Sequence, residues 1–278
     1  MAVSMYPIRQ PAVAGAFYPG QASALSKGVL SLLADAERAS QPGASAGSSP
    51  KALIVPHAGY IYSGSTAALA YARLAIAAKA IRRVILLGPV HHVPVRGLAL
   101  PGVAAFATPL GNIEVDQDAV AMIASLPQVV VSQPAHAQEH SLEVQLPFLQ
   151  SVLENFKLVP LAVGDATPAE VAEVLDALWG GAETLLVVSS DLSHFLPYRT
   201  AQTIDAETVH EMMGLSSSIT HDQACGATPV NGLMLAARRH HLQPQLLGLC
   251  NSGDTAGDKN RVVGYAALAL TEDHSHVH

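Results

Sequence analysis

Charge is scarce in this chain of 278 residues, and so are rings: charged side chains make up 13% of it and aromatic ones 5%. The 15 Lys and Arg face 22 Asp and Glu, a formal net charge of −7. The basic residues are scattered, gathering only in pairs such as Arg82-Arg83 and Arg238-Arg239. That argues against nucleic acid as a partner, because a phosphate backbone is gripped by clustered Lys and Arg. Cysteine is almost absent. Cys225 and Cys250 cannot make a disulfide scaffold, and two free thiols predict a reducing, cytoplasmic setting. The N-terminal MAVSMYPIRQPAVAG has neither the basic start nor the apolar run of a secretory signal. No segment reads as a membrane span either. The most apolar stretches, around 66–81 and 98–110, are interrupted by Arg73 and Lys79 or by Pro101 and Gly102.

What the chain does have is aliphatic content. Half of it is hydrophobic, which predicts a large core built from Ala, Val and Leu. Short apolar runs predict strands at 52–56, 84–88, 129–132, 158–163, 184–190, 245–250 and 262–270. Alanine-rich amphipathic stretches predict helices at 22–36, 64–79, 116–125, 139–155, 167–179, 202–214 and 227–241, with Pro147 kinking or restarting the fourth. This alternation indicates an α/β fold in one domain over 1–278, with a mostly parallel central sheet flanked by helices. The Ser, Gly and Pro of 39–50 predict a flexible loop, and 271–278 a frayed tail.

Polar residues gather just beyond the strands. The run Val84–Leu87 is followed by Gly88-Pro89, which reads as a strand stop, and then by His91 and His92. Strand 52–56 leads into PHAGYIYSG and His57; strand 184–190 leads into SSDLSHF, with Asp191 and His194. If these strands are parallel, all three turns open on one edge of the sheet, where open α/β sheets place ligands. Successive side chains of an extended chain point to opposite sides, so only one of His91 and His92 should enter such a site.

Two further stretches join this pattern. In AQEHSLEVQLPF, Glu139 and Glu143 lie at i and i+4, and His140 and Glu143 at i and i+3, on one side of the expected helix. Glu143 reads equally as part of a solvated face or as a supporting residue of the site; His140 reads as lining it. In HDQACGATPVNGL, Cys225 precedes an expected helix capped by Thr228 with Pro229 at its first position. A cysteine there gains thiolate character, although a lone cysteine is also a common core residue. Cys250, ending an apolar strand, reads as core. His210, His221, His240 and His241 have no companion pattern and read as surface residues.

Taken in order, PHAGYIYSG, LGPVHH, EHSLEVQLPF, VVSSDLSHF and ACG resemble the Memo-like proteins, called AmmeMemoRadiSam system protein B in bacteria and archaea. AVAGAFYPG near the start and GYAALAL near the end are similar to the same family, so the resemblance covers nearly the whole chain. It implies a fold like that of the class III extradiol dioxygenases. It also implies His57, His91 and Cys225 as metal ligands, the cysteine standing where those dioxygenases use a glutamate. His194 matches their acid–base histidine, Asp191 stands beside it, and His92, His140 and Glu143 are expected to support the ligands.

A two-His, one-carboxylate triad holds Fe(II) with positions open for substrate, and thiolate in place of carboxylate softens the site towards Cu(I) and zinc. The expected function is therefore a metal-dependent redox enzyme, with Fe(II) first and copper or zinc as competitors, acting on an unknown small molecule or dioxygen. The alternative is a non-catalytic protein that holds a peptide in the same cleft or buffers metal. A hydrolase is less well supported: VVSSDLSHF has Ser, Asp and His but no nucleophile-elbow glycines.

Overall fold

The computed structural model describes residues 7–39 and 49–272. In chain order its strands are β1 (Ile8–Arg9), β2 (Ala52–Val55), β3 (Arg83–Pro89), β4 (Leu98–Leu100), β5 (Ala105–Thr108), β6 (Gly111–Glu114), β7 (Val129–Val131), β8 (Lys157–Val163), β9 (Thr184–Ser189), β10 (His194–Leu196), β11 (Leu242–Asn251) and β12 (Val262–Glu272). Its helices are α1 (Ala22–Ala39), α2 (Tyr60–Tyr71), α3 (Gln117–Ile123), α4 (Gln133–Ala137), α5 (Leu146–Val152), α6 (Pro168–Ala177), α7 (Tyr198–Met213) and α8 (Ala227–Arg239).

The main sheet runs β10-β12-β2-β9-β3-β8-β4-β7, with β11 also paired to β12. At its centre β2, β9, β3 and β8 are parallel. Their residues are Val, Ile and Leu almost throughout because both faces are covered, and alternation divides them cleanly. Leu53, Val55, Val84, Leu86, Leu185 and Val187 pack with α1, α2 and α5, while Ala52, Ile54, Ile85, Leu87, Leu186 and Val188 pack with α6, α7 and α8.

The parallel order expected from the sequence holds at this centre and gives way on both sides. β12 is antiparallel to β2, β11 and β10, and β4 is antiparallel to β8, so the sheet is mixed. A small second sheet, β1-β5-β6, carries the N-terminal segment. Strands this short, two to four residues in β1, β4, β5 and β6, leave little periodic signal.

Three local expectations are corrected. Gly88-Pro89 does not stop β3: the ladder with β8 continues through Gly88–Ala162 and Pro89–Val163. The β9 ladder has already ended at Leu87–Val188, so proline's missing N–H costs no bond there. The expected helix at 139–155 is instead a loop and turn after α4, a 3-10 turn at Glu143–Gln145 and then α5, whose first turn accepts Pro147. Helix α8 begins at Ala227 with Gly226 as its cap, and Thr228 Oγ1 pairs with His221 Nε2 at 3.2 Å rather than capping. Of the expected loop and tail, residues 40–48 and 273–278 lie outside the described residues. Ala39 ends α1, and Thr271 and Glu272 remain paired to β11.

Candidate metal centre

Because β2, β9 and β3 are parallel neighbours, their carboxyl ends deliver His57, Asp191 and His91 to one edge of the sheet. The segment after α4 adds His140. One nitrogen from each of His57, His91 and His140 lies within 4.8 Å of the others. The rings of His91 and His140 stack at 4.7 Å between centroids, and His57 meets them edge-on at 5.3 and 5.4 Å. Cys225, arriving from the loop before α8, brings Sγ to 3.3 Å from His57 Nε2.

The neighbours of His57 decide which of its nitrogens is free. Ser189 Oγ donates its single proton to the Ser141 carbonyl at 2.7 Å, so it can only accept at the other contacts. It therefore accepts from Gln145 Nε2 and from His57 Nδ1, both at 2.9 Å. That puts the imidazole proton on Nδ1 and leaves the Nε2 lone pair facing Cys225. Asp191 holds the same turn from the other side, its Oδ1 accepting from the His57 amide at 2.7 Å.

His91 is held by Glu139, a buried carboxylate. Oε1 accepts from His91 Nδ1 at 2.8 Å and from the Ser141 amide at 2.9 Å, and Oε2 accepts from the His91 amide at 2.6 Å. Two glycines permit these approaches. A Cβ on Gly88 would fall 2.7 Å from Ser141 Oγ, and one on Gly226 would fall 2.7 Å from Ser190 Cβ. Without Gly226 the cysteine loop could not seat against the end of β9, where the Gly226 amide donates to Ser190 Oγ at 2.9 Å.

Burial sets the protonation states. It pushes His57 well below the ordinary imidazole range, reinforced by repulsion from His140 and His91. Burial likewise takes His140 down to about 4. Against the push of burial, hydrogen bonds from His91 and Ser141 hold Glu139 at about 2. Asp191 rises to about 7 by burial, though the His57 amide opposes this. The Cys225 thiol is pushed up to about 12 by burial and then by Asp191. This corrects the thiolate expected from the helix N-terminus: the desolvation of Sγ outweighs the partial charge of α8.

The remaining expected residues are less central. His92 is exposed and meets His140 only edge-on, at 6.2 Å. His194, on β10, is half-buried and lowered by burial, and the exposed Phe195 beside it has a φ of +59°, unusual for a non-glycine residue. Glu143 neither faces solvent nor touches the cluster. It is fully buried and ion-paired with Arg9, and it accepts from the Ala12 and Val13 amides and the Tyr18 hydroxyl. It anchors the N-terminal segment, whose Phe17 ring packs on His140 at 4.8 Å. His221, read as a surface residue, is exposed with Nδ1 3.3 Å from the Cys225 carbonyl oxygen, and His240 stacks on Trp179 at 3.7 Å.

The sequence profile of Memo-like proteins matches residues 9–269. This chain belongs to the Memo-like protein family. MEMO1 family proteins of Metallosphaera sedula, Aquifex aeolicus and Methanosarcina mazei are 34%, 36% and 34% identical to it. The alignments cover 95%, 94% and 95% of this chain and 99%, 98% and 99% of theirs. The crystal structure of an uncharacterized protein, JW3007 from Escherichia coli K12, aligns with a TM-score of 0.51 at 13% identity, over 78% of this chain and 98% of that one. At that identity the likeness concerns the fold alone.

The donor set of this Memo-like chain suits a transition metal. Neutral imidazoles with oriented lone pairs are ligands, whereas imidazolium is not, and the low pKa values of His57 and His140 keep them neutral. Metal–nitrogen bonds of about 2.0–2.1 Å put ligand nitrogens about 3.4 Å apart in a tetrahedral site, so from separations of up to 4.8 Å the rings must draw in by about an ångström. No helix of the described residues is long and apolar enough to cross a membrane. The sequence pattern missed Ser189, Gln145 and Ser141 as site residues, and it took Glu139 for a helix-mate of Glu143. The signal was present in VVSSD and EHSLEVQ, but only the fold shows which side chains turn inward.

Proposed function

We propose that this Memo-like protein binds one transition-metal ion through His57, His91 and Cys225, with His140 as a further nitrogen at the same point, and acts as a redox enzyme on a small organic molecule. One observation carries the reading: Cys225 Sγ and His57 Nε2, from opposite ends of the chain, meet at 3.3 Å beside two more imidazoles. A ligand set of imidazole and thiolate suits Fe(II) and copper, with zinc as the competitor that lacks redox chemistry. Iron or copper held there would supply one-electron chemistry and a coordination position for an organic ligand.

The residues around the ion have separable tasks. His194, half-buried and lowered from the ordinary imidazole range by burial, is the residue we assign as acid–base. Asp191 holds the His57 turn. A cavity of about 450 Å³ opens at His91 and Cys225, lined by Val90, Val93, Val95 and Val163 on one hand and His92, Asp165 and His221 on the other, and has the size of a small-molecule site. A thiol ligand operates best in a reducing compartment, which favours the cytoplasm.

The test is anaerobic purification followed by elemental analysis, then oxygen-consumption assays of the reconstituted protein with candidate phenols. Iron or copper at one ion per chain with oxygen uptake supports the reading. Stoichiometric metal with no turnover favours metal buffering or peptide binding in the same cleft. No metal at all overturns it.

A further inference from the structure

Among the described residues, Glu139 is the one carboxylate in contact with two of the three clustered rings. Besides its bonds to His91, its Oε1 lies 3.5 Å from His140 Nδ1. Three donors occupy its oxygens, and behind them Arg9 donates to the Glu139 carbonyl at 2.7 Å and, through Nε, to the His136 carbonyl at 3.0 Å. The carboxylate is therefore oriented by the fold itself.

We propose that Glu139 is a positioning residue of the metal centre, fixing His91 with Nε2 towards the ion and setting a negative charge behind that ring. This rests on the metal-binding reading above. Any acceptor at Nδ1 would fix the tautomer. A carboxylate also takes the His91 amide on its other oxygen, which ties the ring to its own backbone and fixes its rotation. A carboxylate behind a ligating imidazole makes the ring a stronger donor. His57, by contrast, is backed by the neutral hydroxyl of Ser189. Glu139 and a Cys225 thiolate also set negative charge beside the ion, and its attraction for a divalent cation is twice that for a monovalent one. Glu139 therefore biases the site towards divalent ions.

The experiment titrates Co(II) and Cu(I) anaerobically, each against a competing chelator, into wild type, Glu139→Gln and His91→Ala. In Glu139→Gln the Co(II) affinity should fall by about 10–100-fold, the Cu(I) affinity by clearly less, and the visible Co(II) spectrum should change. Equal losses for both ions, or none, overturn the role of Glu139. Unchanged Co(II) binding in His91→Ala overturns the metal reading beneath it. If Glu139→Gln does not fold, ¹⁵N imidazole spectra of the metal-free wild type still decide: a proton on His91 Nδ1 supports the proposal, and one on Nε2 overturns it.

Discussion

His57 Nε2 and Cys225 Sγ stand 3.3 Å apart although 168 residues separate them. Neither side chain is placed by its own segment alone. The Ser189–Gln145 pair turns the imidazole, and the approach of Gly226 to Ser190 brings in the thiol. The contact is thus a product of β9, which lies between β2 and β3 and ends at Ser189, and of the turn after it, which supplies Ser190 and Asp191.

Replacing Cys225 by Ser should remove or greatly weaken the bound metal, since a neutral hydroxyl is a far poorer ligand than a thiolate. His57→Ala should do the same. His92→Ala and His194→Ala should keep one metal per chain, because His92 meets the cluster only edge-on at 6.2 Å and His194 is assigned to proton transfer, not to the ion. Elemental analysis of the four variants checks this. Retention of metal in both Cys225→Ser and His57→Ala would leave the cleft as a binding surface only.

Ser189→Ala should leave the His57 Nδ1 proton and one Gln145 donor without a buried acceptor. A lost partner of this kind costs about 1–3 kcal/mol. The free imidazole can then turn or change tautomer, so metal affinity should drop by about tenfold or more. Denaturant melts and chelator competition separate the two effects; an unchanged affinity would mean that Ser189 has no part in aiming the ring.

Much of this site could be read from the order of polar residues after strands. His57, His91, Asp191 and His194 follow apolar runs that the eye finds at once, and parallel strands bring their ends together. The segment around Glu139 and Glu143 was harder. A 3.6-residue spacing puts both on one helical face, but the chain at 139–142 is not helical, so the two carboxylates part. Glu139 goes to His91 and Glu143 to Arg9. Arg9 itself lies in a two-residue strand with no periodicity to announce it. The thiol's protonation was misread for a related reason: spacing marks a helix start, whereas burial depends on what packs over it.

Glu143→Ala should be among the most destabilising single changes. It strands the buried Arg9 guanidinium, two backbone amides and the Tyr18 hydroxyl together. Breaking a buried ion pair costs about 3–5 kcal/mol. Pairing it with Arg9→Met should not restore stability, because Ala12, Val13 and Tyr18 would still lack their acceptor. Urea denaturation gives the loss, and trypsin cleavage at Arg9 should become fast in the single variant. A double variant as stable as wild type would show that the ion pair alone mattered.

The metal-free protein should lose stability as pH falls from about 6.5 towards 4. Folding keeps His57, His136 and His140 neutral, the last two down to about 4, so over this window the unfolded chain binds more protons. Asp191 works in the opposite sense. Its folded pKa of about 7 lies above its ordinary 3.8, so it is protonated in the native state first and adds stability on acidification. Asp191→Asn should therefore steepen the acid loss between pH 7 and 4. Urea midpoints across this range for chelator-treated wild type and variant measure it, and parallel curves would mean that Asp191 does not titrate there.

Metal binding should also strengthen as pH rises, over a higher window. With the Cys225 thiol at about 12, the sulfur enters the site protonated and must release that proton to bind the ion. His57 and His140 are already neutral at pH 7 and contribute no proton of their own above it. Between pH 7 and 9 the affinity should then rise about tenfold per pH unit, the signature of one proton displaced. In Cys225→Ser any residual binding through the imidazoles should be nearly flat over the same range. Chelator competition at several pH values, with proton release followed in weak buffer, gives both slopes. A flat wild-type profile would mean that the sulfur stays a thiol beside an all-histidine site, making His140 rather than Cys225 the third ligand.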